Sequence, residues 1–139
     1  MAEIAIAILV QGDKVLMARR APHKTTYPKC WDFIGGHIEP GETLVQALNR
    51  EMSEEIGVHP VAPNYLGRIV DHALSIAEPP TYHFFCVQKW RGGVPHLANH
   101  EHTEMRWVTI CEMHRLDQLS NPAYIGLAER AFAHYHTLR

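Results

Sequence analysis

Residues 36–58 read GHIEPGETLVQALNREMSEEIGV, and this segment predicts a loop that leads into a helix. Pro40-Gly41 indicates a turn. After it, Thr43 can cap a helix, and Gln46, three residues later, completes a capping-box pattern. Gly57 suits the left-handed conformation that commonly ends a helix. We therefore expect a helix that begins after Thr43 and ends at Gly57.

The predicted helix has an apolar face with an acidic face beside it. At ~100° per residue, one stripe of apolar side chains should pack on the core: Leu44, Val45, Leu48, Met52 and Ile56. Glu51, Glu54 and Glu55 lie beside this stripe within an arc of roughly 100°, and Glu55 is at its buried edge. Carboxylates at this spacing repel one another, at a cost of roughly 0.2–0.5 kcal/mol per pair.

Two interpretations of the three glutamates follow from the residues alone. The first is a solvated acidic face, the usual role of glutamates on a helix. The second is a divalent cation site, because a hard cation among the carboxylates would remove their repulsion. Mg²⁺ takes a few carboxylates, keeps some water and bridges to substrate phosphates. It also lowers the pKa of a bound water, so that hydroxide is available near neutral pH. The second interpretation predicts cleavage of a diphosphate linkage.

The rest of the chain predicts a sheet with a helix layer on each side. Strands are indicated at Ile4–Val10, Val15–Ala18, Trp31–Ile34, Tyr65–Leu74, Tyr82–Trp90 and Met105–Ile110. The first is apolar on both faces and should be central, and turn residues join it to the second as a hairpin. Gly35-Gly36 is expected to end the third strand. A short helix over Cys111–Leu119 and a longer one from Pro122 complete an α/β/α sandwich with a mixed sheet.

Composition limits the kind of protein and its partners. With 139 residues, 46% of them apolar and 20% charged, the chain fits one domain spanning residues 1–139. A net charge of -2 argues against a polynucleotide partner and favours a small molecule. No segment approaches the ~20 apolar residues of a membrane span. Cys30, Cys86 and Cys111 form no disulfide or zinc pattern, so we expect a reducing, cytoplasmic location.

Histidines are frequent, and three of them lie close together in the sequence. His96, His100 and His102 invite a metal-site interpretation. Their spacing does not match a zinc signature. We therefore expect exposed histidines of a loop.

At this point a family resemblance becomes specific. Residues 36–58 resemble the Nudix box, and every fixed position of its pattern is filled: Gly36, Glu42, Arg50, Glu51, Met52, Glu54, Glu55, Gly57 and Val58. A chance match at this many positions is very rare. The chain is similar to the MutT-like branch of the Nudix hydrolase superfamily. The resemblance implies the Nudix fold, in the α/β (α+β) class, and an enzyme that hydrolyses a diphosphate linkage with Mg²⁺, for which Mn²⁺ can substitute.

The resemblance also implies roles for individual residues. Glu54 and Glu55 would be metal ligands, and Glu51 either a ligand or the base that activates water. Arg50 would brace the loop and helix together with Glu42, and the carbonyl of Gly35 would complete the metal shell. Another glutamate is expected shortly before the strand that contains Trp107. Glu101 lies at the matching distance and is preferred as ligand or general base, whereas Glu104 is expected at the strand edge.

Each residue that could contact the substrate has two possible roles. Asn121 is similar in position to a base-reading asparagine of the MutT branch, but it is equally an ordinary helix cap. Phe33, Tyr82 and Phe84 would either stack on a base or belong to the core. Arg19, Arg20 and Lys24 would either hold phosphates or be solvated.

The leading hypothesis for the reaction is hydrolysis of a (deoxy)nucleoside triphosphate to the monophosphate and pyrophosphate. An oxidised purine such as 8-oxo-dGTP is one candidate substrate. Alternatives are a nucleoside diphosphate sugar, ADP-ribose or a dinucleoside polyphosphate as substrate, and a nucleotide sensor that has lost catalysis. A monomer and a homodimer are both compatible with the sequence.

Overall fold

The computed structural model describes residues 2–74 and 77–137. These described residues form nine strands: β1 (Glu3–Gln11), β2 (Lys14–Arg20), β3 (Trp31–Asp32), β4 (Ile34–His37), β5 (His59–Val61), β6 (Asn64–Val70), β7 (Thr81–Val87), β8 (Lys89–Arg91) and β9 (His102–Val108). The same part of the chain contains three α-helices: α1 (Leu44–Ile56), α2 (Ile110–Arg115) and α3 (Ala123–Thr137). None of the helices within these described ranges is long and apolar enough to cross a membrane.

A mixed sheet of seven strands forms the centre of the molecule. Its order is β3-β2-β1-β7-β6, with β4 also paired to β1 and β9 to β2. The β1–β7 pair is parallel and the other pairs are antiparallel. The predicted hairpin is confirmed, since Val10 faces Val15 across β1 and β2. The predicted burial of β1 is also confirmed, because residues 5–10 are all buried.

The sheet is covered on both faces, which confirms the predicted α/β/α sandwich. On one face α1 packs against a core that includes Leu9, Leu16 and Ile34. On the other face α3 packs against a second core that includes Phe84. The predicted apolar stripe of α1 is wrong at one position, because Val45 is 45% exposed. The buried residues of α1 are Leu48, Met52 and Ile56 from the predicted stripe, together with Ala47 and Glu55.

Several predicted strand boundaries are wrong, each for a local reason. Gly35 does not end a strand but lies within β4, where it pairs with Ile6. A Cβ on Gly35 would collide with the main chain of β1, so glycine permits this close pairing. The strand predicted over Tyr65–Leu74 stops at Val70 and is followed by a 3₁₀ helix, His72–Leu74. The strand predicted over Tyr82–Trp90 is divided, because β8 pairs with β5 in a separate sheet.

The last predicted strand begins earlier than expected. It runs from His102 rather than from Met105, because residues 102–108 pair with β2. It ends at Val108 because Thr109 caps α2 and forms a capping box with Glu112, a signal that the sequence prediction missed.

Candidate active site

A cavity of about 350 Å³ is lined by residues of the central sheet, of α1, of α3 and of the loop around Lys24. We call the part of its wall formed by Glu51, Glu55 and Glu101 the acidic end. We call the part formed by Phe33 and Tyr124 the aromatic end. The cavity thus combines groups that can hold a cation with groups that can hold an organic ring.

Helix α1 positions the acidic end. Its predicted caps are confirmed: Thr43 and Gln46 form the capping box, and Gly57 has a φ of 72° in the left-handed region. On the adjacent strand β4, a Cβ at Gly36 would overlap the carboxylate of Glu51. Glycine at this position therefore lets the Glu51 side chain lie directly against the sheet, inside the cavity.

Glu55 is the carboxylate that is most deeply buried in the cavity wall. It is 4% exposed, and its Oε2 has no hydrogen-bond partner among the described residues. Burial raises the pKa of this carboxyl well above its ordinary value, and the charge of neighbouring Glu51 raises it further. A buried carboxylate without a partner is costly. A cation beside Glu51 and Glu55 would relieve both the burial cost and the repulsion, so these residues fit a divalent metal ion.

Arg50 lies among the other carboxylates of the segment. Its Nη1 donates to Glu51 at 2.8 Å and to Glu54 at 3.4 Å, and its remaining nitrogens donate to Glu42 and to the carbonyl of His37. No three His, Cys, Asp or Glu side chains within residues 2–74 and 77–137 are grouped as a ready-made metal site. The Glu54 side chain is 54% exposed and does not line the cavity. Full ligation by Glu51 and Glu54 thus requires both carboxylates to turn away from Arg50.

Glu101 and Glu104 occupy different surroundings. Glu101 lines the cavity and is paired with Lys24, whose hydrogen bond lowers the pKa of the Glu101 carboxyl. Glu104 lies outside the cavity and is paired with Arg19 at 3.5 Å and with Arg106 at 3.4 Å. Glu101 is therefore brought to the acidic end, and Glu104 is not.

His102 differs from the expectation for the histidine group. His96 and His100 are exposed, as expected, but His102 is 7% exposed and lines the cavity. Its Nδ1 is 3.5 Å from Oε1 of Glu55. Burial, together with the charge of Arg20, lowers the pKa of the imidazole to about 4. The ring is thus neutral at pH 7, and the contact with Glu55 is not an ion pair.

The residues expected to hold substrate are only partly brought together. Arg20, Lys24, Phe33 and Asn121 line the cavity. Arg19 does not, because its guanidinium is bonded to Lys29, Asp117 and Gln118. Phe84 is completely buried in the core and cannot stack on a ligand.

Phe33 and Asn121, which are candidates for contact with a base, also make contacts within the protein. Phe33 stacks on Tyr124, with ring centroids 4.9 Å apart. Asn121 accepts a hydrogen bond at 2.9 Å from the amide of Ala123 at the start of α3. It therefore acts as a helix cap while its side chain borders the cavity, and the two interpretations of Asn121 are compatible.

Sequence analysis missed two acidic groups of the cavity. The carboxyl of Asp32 is buried beside Phe33, which raises its pKa to about 6 although nearby Arg20 lowers it. Asp71 is 5% exposed and accepts hydrogen bonds from the hydroxyls of Tyr27 at 2.7 Å and Tyr82 at 3.0 Å. An aspartate inside the strand predicted over Tyr65–Leu74 was the available signal for Asp71. The hydrogen bond from Tyr27 to Asp71 joins residues that are 44 positions apart, so no local sequence pattern predicts it.

With this geometry established, comparison with known proteins identifies the family. Residues 1–128 match the family model described as the NUDIX domain. The chain therefore belongs to the Nudix family, and it is a Nudix hydrolase, an enzyme acting on acid anhydrides. Enzymes of this family generally use divalent metal cations.

Relatives and solved structures agree with this assignment. The chain is 32% identical to a CTP pyrophosphohydrolase of Escherichia coli, over 96% of this chain and 93% of that protein. It is 31% identical to a putative 8-oxo-dGTP diphosphatase 2 of Mycobacterium tuberculosis, over 82% and 77% of the two chains. The fold is similar to a MutT NUDIX hydrolase from Burkholderia pseudomallei, with a TM-score of 0.78, 20% identity, and coverage of 91% and 94%. It is also similar to the E. coli ORF135 protein, with a TM-score of 0.76, 29% identity, and coverage of 100% and 93%.

Proposed function

We propose that the protein hydrolyses a (deoxy)nucleoside triphosphate to the monophosphate and pyrophosphate in a Mg²⁺-dependent reaction. One observation carries this proposal: the buried carboxylate of Glu55 and the stacked rings of Phe33 and Tyr124 line a single cavity. The acidic end suits a cation that engages phosphates, and the aromatic end suits a base. Two relatives that match most of this chain are named for CTP and for 8-oxo-dGTP, which are both triphosphates.

The metal would be held at the acidic end of the cavity. The proposed ligands are the carboxylates of Glu51, Glu54, Glu55 and Glu101 together with the main-chain carbonyl of Gly35. The bound Mg²⁺, or Mn²⁺ in its place, would neutralise phosphate charge and lower the pKa of a water. Arg50 pairs with Glu51 and Glu54, and both carboxylates would turn away from it to hold the cation.

Basic residues at the cavity would hold the phosphates. Arg20 and Lys24 line its wall, and a triphosphate carries more negative charge than one divalent cation cancels. Lys24 is paired with Glu101, so it would exchange that carboxylate for a phosphate as substrate enters. Arg19 is left out of this role, because its guanidinium is bonded elsewhere.

The base would occupy the aromatic end. Phe33 and Tyr124 line the cavity wall although they are only 3% and 2% exposed, so a base would contact the small ring area that faces the cavity. Asn121 and Asp32 offer hydrogen-bonding groups that can recognise a base edge. A cavity of about 350 Å³ is at the small end of the range for ligand sites. This size favours one nucleotide over a dinucleoside polyphosphate or ADP-ribose.

In the proposed reaction, water attacks the α- or β-phosphorus of the triphosphate, the P–O bond of the bridge between these two atoms breaks, and the monophosphate and pyrophosphate separate. One carboxylate of the acidic end, from Glu51 or Glu101, would accept the proton of the attacking water. The positive charges of Arg20 and Lys24 stabilise the charge that develops on the phosphate oxygens. Phe33 and Tyr124 hold the base so that the phosphates reach the acidic end.

The test is a panel of purified nucleotides with and without Mg²⁺, with pyrophosphate and phosphate measured separately. The panel contains CTP, dCTP, dGTP, 8-oxo-dGTP, ADP-ribose and a nucleoside diphosphate sugar. We expect pyrophosphate from one or more triphosphates, and a loss of about 10²-fold or more in Glu54→Gln. Turnover of ADP-ribose without turnover of triphosphates would contradict the proposal. Nucleotide binding without hydrolysis would favour the sensor.

We further propose a cytoplasmic enzyme that acts as a monomer or a homodimer. The support for the location is that Cys30, Cys86 and Cys111 are all free thiols, as is usual in a reducing compartment. Light scattering on the purified protein measures the number of subunits. An assembly larger than a dimer would contradict this part of the proposal.

A further inference from the structure

His102 and Glu55 face each other in the cavity wall. Both are almost fully buried, with 7% and 4% of their surface exposed. Among the described residues, His102 Nδ1 and Glu55 Oε2 have no hydrogen-bond partner. Nδ1 of His102 is 3.5 Å from Oε1 of Glu55. This is slightly longer than a hydrogen bond, and a movement of about 0.5 Å would pair Nδ1 with Oε1 and leave Oε2 of Glu55 open to a cation.

We propose that His102 is a positioning residue, whose Nδ1–H donates to the Glu55 carboxylate and orients it toward the divalent cation. This inference rests on the proposed function, because it assumes that Glu55 is a metal ligand. Carboxylates that bind a metal are generally held by a second hydrogen bond from the protein, and loss of that bond weakens metal binding about 10–100-fold.

The surrounding fold supports this role. His102 is the first residue of β9 and is paired with Arg20 of β2, so its main chain is held in the sheet. Glu55 lies on α1, in the last turn before the Gly57 cap. A bond between the two side chains would thus fix the carboxylate between a strand and a helix, both of which are rigid elements.

The first test compares two variants of nearly equal size, His102→Asn and His102→Leu. Asparagine keeps an N–H near the position of Nδ1, whereas leucine has the same shape without a donor. Mn²⁺ binding is measured directly, from the electron paramagnetic resonance signal of the free ion. We expect about 10–100-fold weaker binding in His102→Leu and recovery to within about 3-fold of the wild type in His102→Asn. His100→Ala, an exposed neighbour, is the control and should bind as the wild type does.

A second measurement separates positioning from direct ligation. The ratio of Mn²⁺ to Mg²⁺ affinity should be unchanged in His102→Asn, because the oxygen ligands are the same. A fall in this ratio would overturn the proposal in favour of nitrogen ligation, since imidazole favours Mn²⁺ over Mg²⁺. Unchanged Mn²⁺ binding in a folded His102→Leu would also overturn it. Absence of Mn²⁺ binding in the wild type would overturn the metal-dependent function itself.

Discussion

The guanidinium of Arg50 donates two hydrogen bonds to the carboxylate of Glu42, at 2.8 Å from Nε and 2.9 Å from Nη2. The same carboxylate accepts from the amide of Glu39 at 2.8 Å. These bonds join the loop before α1 to the helix itself. They lower the pKa of Glu42 to about 2, with the bond from Arg50 as the largest cause.

This lowered pKa predicts a pH-dependent contribution to stability. The folded value lies below the ordinary value of about 4.3, so Glu42 stabilises the folded state above that pH and loses the effect as pH falls toward 2. Glu42→Gln should therefore lower the free energy of unfolding at pH 6, and the difference from the wild type should shrink toward pH 2. Urea denaturation at several pH values measures it. Glu39→Gln is the control for a weak, exposed pair, because its carboxylate is 3.7 Å from Arg50 and 63% exposed, and it should change stability little at any pH. A constant difference between pH 6 and pH 2 would contradict the prediction.

Glu55→Gln should stabilise the protein in the absence of divalent cations. The raised pKa of Glu55 means that its charged form is disfavoured in the folded state, so stability falls as pH rises above the ordinary value. Removing this charge at pH 8 should raise Tm by several degrees, given about 1 kcal/mol or more for a buried unpaired group. Thermal melts in EDTA measure the change. Addition of Mg²⁺ should raise Tm for the wild type only, and a lower Tm for the variant in EDTA would count against the prediction.

Glu101→Gln and Glu104→Gln should differ strongly in rate, although the two residues are close in sequence. Glu101 lines the cavity, whereas Glu104 pairs with Arg19 and Arg106 outside it. We expect kcat to fall about 10²-fold in the first variant, as for a ligand or general base, and less than about 2-fold in the second, as for a surface pair. Steady-state kinetics on the preferred triphosphate decides the matter. Equal losses would show that Glu101 has no special part in the chemistry.

Tyr27→Phe should loosen residues 21–30 over the cavity. The Tyr27 hydroxyl donates to buried Asp71 at 2.7 Å and connects this segment to the end of β6. Its loss should raise the KM for nucleotide and expose Lys24 and Lys29 to trypsin, because the segment then opens more often. Cleavage is followed by mass spectrometry.

Tyr82→Phe is the matched control for this experiment. It removes a hydrogen bond of 3.0 Å to the same oxygen of Asp71, but Tyr82 belongs to β7 rather than to the loop. Its rate of cleavage within residues 21–30 should stay close to that of the wild type. Equal protection of Tyr27→Phe and the wild type would refute the connection.

Features encoded within a few residues were predictable from the sequence. The caps of α1 at Thr43 and Gly57, the hairpin between β1 and β2, and the burial of β1 all depend on local patterns. The predictions were wrong where a residue's position depends on a partner in another strand or helix. Gly35 was expected to end a strand because glycine is a common terminator, but close pairing with β1 keeps it within the sheet.

The sequence by itself determined the family, the sandwich fold, and the acidic helix that carries Glu51, Glu54 and Glu55. The helix follows from short-range spacing, which fixes its faces and its caps. The family follows from the resemblance of residues 36–58 to the Nudix box, and the sandwich from the order of strands and helices. Only the tertiary structure decided which of the other polar residues reach the cavity. Helix α1 brings Glu55 to His102 of β9, two loops bring Lys24 to Glu101, and Arg19 is turned to other partners. Such contacts join residues far apart in the chain, and side-chain spacing within one segment contains no information about them.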